Sequence, residues 1–217
     1  RNVLHVTGHN TYSGPTLIGS NQTSFNVNAD MRVGADTYTG RLGTGAITLQ
    51  SSTGGQSTLR FMSLRNQTLT NTINLNPWSD GNAGARNAVL VRHSLGSLNL
   101  AGTVTAGDHA QPGQNPFTQR AVIQNDPNNK LTLSGAIVNG PGNRLNFVPV
   151  SNTIFEFAGS ASNTLWGRFT GNNSDNTTSM FLFNNTGTTT LKGFNNFANT
   201  GGTNRLNNIY IQRGTVV

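Results

Sequence analysis

The sequence predicts an all-β fold, a right-handed parallel β-helix in which successive coils of one chain stack as a β-solenoid. Three observations carry that expectation. Short strand-like segments resemble one another: Leu98-Asn99-Leu100-Ala101-Gly102-Thr103-Val104 returns as Leu131-Thr132-Leu133-Ser134-Gly135-Ala136-Ile137, and residues 6–16 are echoed, with two insertions, by 191–203. Such units cannot bury an apolar face alone and do so by stacking on their neighbours. The segments are separated by Asn, Thr, Gly and Ser, whose side chains can pair with their counterparts one rung above. Few tight hairpin pairs occur, Asp80-Gly81 and Asn139-Gly140 being the exceptions. Strands of this length and spacing also suit a β-sandwich or jelly roll, which is the alternative architecture.

Period-two alternation bounded by turn residues places the strands in order. The first is 3–7, stopped by Gly8. Residues 25–33 alternate Phe25, Val27, Ala29, Met31 and Val33, and 47–49 form a short Ile-Thr-Leu piece behind Gly45. Residues 58–64 and 69–75 carry Leu59 with Phe61, and Leu69 with Ile73 and Leu75. Then come 88–91, the repeated pair 98–104 and 131–137, and 121–123 between them. Phe and Leu at every second position mark 145–150 and 153–157. The series ends with 165–169, 180–183, 188–191 and 208–211. No segment has the capped 3.6-residue period of an amphipathic helix. At roughly 20 residues per coil and ~4.8 Å per rung, about ten rungs would make a rod on the order of 50 Å long.

Two stretches interrupt the rhythm. Residues 76–87 are a polar loop holding Trp78, and 106–130 contain Pro112, Pro116 and Pro127. Extra residues in a solenoid emerge as loops on one face, often the binding face.

Composition narrows the function. The 217 residues suffice for one domain, and only 10% of them are charged, against about 25% in ordinary globular proteins. Without cysteine there is neither a disulfide framework nor a thiolate metal site. No apolar run is long enough to cross a membrane as a helix. The chain opens at Arg1 and closes in the strand-like run 209–217, so it reads as a processed product or a segment of a longer repetitive chain. The net charge of +7 rests on twelve Arg and two Lys. That balance suits acidic polysaccharide or nucleic acid, but along the chain the arginines stand singly. They read as edge and turn residues of a weakly charged rod, and nucleic-acid recognition is set aside.

The elements Leu131-Thr132-Leu133-Ser134-Gly135-Ala136-Ile137-Val138-Asn139-Gly140-Pro141-Gly142 and Gly8-His9-Asn10-Thr11-Tyr12-Ser13-Gly14-Pro15-Thr16 resemble the autotransporter-associated β-strand repeat. Its closing part is matched by Gly187-Thr188-Thr189-Thr190-Leu191-Lys192-Gly193, followed by Gly201-Gly202-Thr203 and Arg213-Gly214-Thr215-Val216. The resemblance covers 1–20, 98–105, 131–143 and 186–217; residues 21–97 depart from the pattern. It implies a parallel β-helix in a secreted bacterial surface protein, extracellular in location, with no catalytic residues of its own. The outer-membrane barrel of an autotransporter is not in this chain, which leaves the secretion route open.

Catalytic chemistry finds little to use. The carboxylates are Asp30, Asp36, Asp80, Asp108, Asp126, Glu156 and Asp175. Asp108 with Asp126 and Asp30 with Asp36 are the pairs that stacking could bring together for glycoside chemistry, though Asp is also a standard turn former. His5, His9, His93 and His109 lack metal-ligand spacing, and no G-x-S-x-G or phosphate-cradling motif occurs. Glycosylation sequons begin at Asn21, Asn66, Asn172, Asn176 and Asn184.

The reading is therefore a non-catalytic extracellular structural rod with no cofactor or metal, serving as a surface adhesin or as a fibre subunit. Val3, Leu4 and Val6 at one end and Val216 and Val217 at the other are uncapped and fit end-to-end stacking or continuation into further repeats. The alternative is a carbohydrate-binding or polysaccharide-degrading β-helix. It would use Trp78, Phe117 and Trp166 as stacking platforms, with Arg86, Arg120 and Arg168 pairing acidic sugars.

Overall fold

In the computed structural model the described residues are 2–6, 10–19, 29–33, 42–50, 57–61, 66–76, 86–92, 97–106, 119–125, 129–139, 145–149, 153–169, 180–192 and 208–217. They form strands and turns. The first coil holds β1 (Asn2–Val6) and β2 (Thr16–Gly19), the second β3 (Ala29–Val33) and β4 (Ile47–Gln50). The third holds β5 (Ser57–Phe61), β6 (Gln67–Leu69) and β7 (Ile73–Asn76); the fourth holds β8 (Arg86–Arg92), β9 (Leu98–Leu100) and β10 (Val104–Ala106). The fifth holds β11 (Gln119–Asn125), β12 (Lys130–Leu133) and β13 (Ile137–Asn139). Then follow β14 (Leu145–Pro149), β15 (Ile154–Phe157), β16 (Asn163–Phe169), β17 (Met180–Lys192) and β18 (Asn208–Val216).

Every strand pairing among these residues is parallel. The sandwich and jelly-roll alternative, which needs antiparallel neighbours, does not form. The pairings make three walls. Wall one stacks β1, β3, β5, β8, β11, β14 and the end of β16. Wall two stacks β6, β9, β12, β15 and the starts of β17 and β18. Wall three stacks β2, β4, β7, β10, β13, the start of β16 and the ends of β17 and β18. This is a parallel β-solenoid.

Its coils are longer than the sequence spacing suggests. Ile47 lies beside Ile73, and Val104 beside Ile137, so a single turn of the solenoid uses more chain than expected. Among the described residues wall three has eight rungs, against the ten expected, a stack on the order of 35 Å at ~4.8 Å per rung. Three segments that read as single strands, 69–75, 98–104 and 131–137, each break in the middle at a corner between walls two and three. Residues 16–19, which carry only one strongly β-forming pair, are a strand the pattern did not mark. Within 106–130 the chain returns to wall one as β11.

The internal repeat occupies equivalent places. Leu98 and Leu100 lie in register with Leu131 and Leu133, and Val104 with Ile137. The longer echo does not: Val6 ends a wall-one strand, Leu191 sits on wall three, and 193–203 lie outside the described residues.

In β4, β7, β9, β10 and β12 alternation at period two puts one side of the strand into a single core of Leu, Ile, Val and Phe. The later coils are filled by Phe147, Phe155, Phe157 and Phe183. Phe147 meets Phe155 edge-on at 5.4 Å, and Phe157 stacks on Phe183 at 4.8 Å and 12°, the spacing of adjacent rungs.

The corners explain the glycines. The N–H groups of Ala101 and Gly102 both donate to the Leu69 carbonyl, and those of Ser134 and Gly135 to the Leu100 carbonyl. This brings the backbones so close that a Cβ on Gly102 would lie 2.0 Å from the Asn71 oxygen, and one on Gly135 2.1 Å from the Gly102 oxygen. Glycine is the side chain that fits.

Candidate functional site

Two features stand out once the register is known. The first is built on wall two. Register puts Thr68, Asn99, Thr132, Glu156 and Leu182 in one column that alternates with the leucine and phenylalanine positions of the core. Glu156 is only 8% exposed. Lys130, which begins β12, pairs with it at 2.7 Å. The Thr132 hydroxyl donates to its Oε2 at 3.3 Å, and the Asn184 amide to its Oε1 at 3.2 Å. Burial pushes this carboxyl up; the hydrogen bonds from Lys130, Asn184 and Thr132, with the Lys130 charge, outweigh burial and hold it below its ordinary 4.5. Glu156 is thus an ionised, fully engaged carboxylate that ties three successive coils together. It offers no proton near neutral pH.

Above this column the Ser134 hydroxyl donates to Asn99 at 2.8 Å. On wall three the Asn74 amide donates to Thr48 at 3.3 Å, and the Thr105 hydroxyl donates to Asn74 at 2.6 Å. These are the polar ladders that the Asn and Thr content anticipates.

The second feature is the charge on wall one. His5, Arg32 and Arg60 stand in register on its first three rungs. Arg120 is in register with Asn87, and Arg168 with Asn146. All five alternate in sequence or register with buried core positions such as Leu59, Ala121, Leu145 and Phe147. Asp30, beside Thr58 in register, is the one acidic residue on the described part of this wall.

The residues singled out in the sequence divide accordingly. Trp78 and Phe117 lie outside the described residues. Arg86, Arg120 and Arg168 fall on one wall, in β8, β11 and β16. Trp166 is the last wall-three position of β16, in register with Lys192, and Gly167 opens wall one. The structure thus brings the three arginines to one wall and Trp166 to its corner. Asp36, Asp108, Asp126, His9, His93 and His109 lie outside the described residues. Of the sequons, Asn66 accepts the Ser97 N–H at 3.0 Å and Asn184 serves Glu156; the other three lie outside the described residues. Among the described residues no three His, Asp or Glu side chains group together.

At the ends, Leu4 and Ile211 occupy core columns, below Met31 and above Phe183, yet are 57% and 59% exposed. Val6 and Val216 pack against the core, while Val217 is exposed. The Val217 N–H donates to Thr189, and its carbonyl accepts from Leu191.

Sequence reasoning counted Glu156 among the acids and did not join it to Lys130, Thr132 and Asn184. The repeat of L-x-L and F-x-F segments would have aligned them. No family model, curated protein or solved structure matches this chain.

Proposed function

We propose that the chain is a non-catalytic structural rod, a right-handed β-solenoid from a secreted bacterial surface protein of the autotransporter-associated repeat kind. It would act outside the cell as an adhesin shaft or a fibre subunit. The observation that carries this is the parallel stacking of strands from successive coils into three walls around one core, held by polar ladders that run from coil to coil. Such a stack is self-supporting along one axis and resists pulling or bending through many equivalent interfaces. Right-handedness follows from the strong preference of parallel crossovers for that hand.

β1 and β18 each pair on one side among the described residues, with β3 and β17, and Leu4 and Ile211 present core positions at those edges. An edge of this kind accepts either a further coil or a second copy of the rod. Negative-stain electron microscopy of the native secreted material tests the reading. Filaments with a regular subunit repeat are expected; isolated short rods at every concentration would overturn the fibre role.

A further inference from the structure

Wall three carries a regularity beyond its polar ladder. Its central column runs through Ile47, Ile73, Val104 and Ile137, all buried, and continues into Asn163 and Thr189, buried as well. The residues that flank each of these in sequence therefore make two parallel columns on the outside of the wall. From β4 to β18 the fourteen places of these columns are all half-buried or exposed. Eight of the fourteen are threonine, among them Thr72, Thr103 and Thr188 in the first column and Thr48, Thr105 and Thr190 in the second. The rest are Ala, Ser, Val and one Asn; β2 ends the pattern with Pro15 and Leu17. In a chain of net charge +7, neither column holds a charged residue.

The spacing is as even as the composition. The N–H groups of Thr16, Ile47, Ile73 and Val104 donate to the carbonyls of Ala46, Thr72, Thr103 and Ala136, each at 2.8 Å. One rung departs: the Ile137 N–H donates at 2.9 Å to the Asn163 side chain, yet Val138 and Thr164 stay in register. Asn74 bridges Thr48 and Thr105 and fixes how they point. The hydroxyls of Thr72, Thr103, Thr164 and Thr190 find no partner among the described residues and are left to water. We propose that this face of wall three binds ice. Repeats of ~4.8 Å along the stack and about 6.7 Å along each strand, twice the rise per residue, lie close to the oxygen spacings on a prism face of ice. Each threonine offers that lattice a hydroxyl that hydrogen-bonds a water and a methyl that orders the water around it. β-Branched side chains are stiff at χ1, so little rotamer freedom is lost on binding. A charged side chain would keep its own mobile water, and the face has none. Each contact is weak, and a rigid array makes successive contacts act together.

A second copy of the chain and a polysaccharide fit the face less well. The two columns make a strip about 35 Å by roughly 10 Å, on the order of 350 Å², well below the ~800 Å² per partner of a stable protein interface. Sugar rings stack on aromatic platforms, and neither column holds Phe, Tyr or Trp. The face depends on the register of wall three and not on fibre assembly, so it stands or falls apart from the rod's role.

The test is growth of a single ice crystal in a dilute solution of the whole chain, with the gap between melting and freezing points measured alongside. The unaltered protein should be drawn into the ice and open that gap. Thr103→Tyr puts a ring in the middle of the array; Thr68→Tyr, at an exposed threonine of wall two, is the control. The first should shrink the gap at least about fivefold, the second less than about twofold. Exclusion of the unaltered protein from the ice, or equal losses in the two variants, would overturn the proposal. So would a dimer in sedimentation equilibrium that Thr103→Tyr abolishes, because the face would then belong to a second copy. A readout on the unaltered protein covers the case of a variant that does not fold. Labelled at its terminal amine, it should stain the prism faces of the crystal, and staining of the basal plane alone would refute the match of spacings.

Discussion

At the scale of single residues, the chain depends on side chains that are missing as much as on those present. Gly135 sits where a Cβ would meet the Gly102 carbonyl oxygen at 2.1 Å, and that oxygen belongs to backbone that cannot step aside. Gly135→Ala should therefore cost ~1–3 kcal/mol or more, by forcing two coils apart. Gly14 has open space where its Cβ would be, so Gly14→Ala should be neutral or slightly stabilising. Thermal melts of the two variants side by side check the argument, and equal effects would contradict it. Glu156 gives a pH-dependent counterpart. Its carboxyl is held below 4.5 in the folded protein, so it contributes stability that is fully present above that unfolded value and is lost as pH falls through the lower folded one. Lys130 is 47% exposed, which limits that contribution to about 1 kcal/mol. Glu156→Gln should lower the melting temperature near neutral pH, with the gap to the parent closing in acid. A gap that stays constant from neutral pH into strong acid would show that the ion pair is not its source.

At the scale of elements, the corners between walls two and three decide what the sequence can reveal. Alternation of Leu and Ile marks where strands lie, but the turn between Leu69 and Ile73 keeps the same parity, so 69–75 looks like one strand. Asn71 makes the turn. Its buried amide donates to the carbonyls of Leu42, Gly43 and Gly45 at 3.1, 3.2 and 2.7 Å, closing the corner of the preceding coil. Nothing local in Thr70-Asn71-Thr72 announces partners that lie a whole coil earlier in the chain. The repeat pair at 98 and 131 was legible because two adjacent coils place an L-x-L pair and a glycine at equivalent positions of the same corner. Asn71→Ala should cost ~1–3 kcal/mol through the carbonyls left without a donor. Asn71→Asp should cost more, because a carboxylate replaces the donor beside three carbonyl oxygens. Chemical denaturation of the two variants gives the order, and the reverse order would remove Asn71 from this role.

At the scale of the whole molecule, the parallel stack makes stability a property of neighbours. Each coil contacts the one before and the one after, so the coils form a chain of coupled units rather than one all-or-none core. The same geometry gathers arginines from distant parts of the sequence onto wall one. Neither consequence is visible without the register, because coils differ in length: Leu145 returns to Gly167 after a short turn, Val104 to Ile137 after a much longer one. Coupling between neighbours predicts how damage spreads. Phe157 is fully buried between Phe147 and Phe183, and Phe157→Ala should remove ~3–5 kcal/mol. In a stack of coupled coils that loss is felt first in β12, β15 and β17, which adjoin it, and fades toward β2 and β4 at the far end. Amide hydrogen exchange reads this directly. Protection should fall by orders of magnitude in the strands around Phe157 and change little in the first two coils. A uniform fall across every strand would mean that the rod unfolds as a single unit, and the account of independent, neighbour-coupled coils would have to be given up.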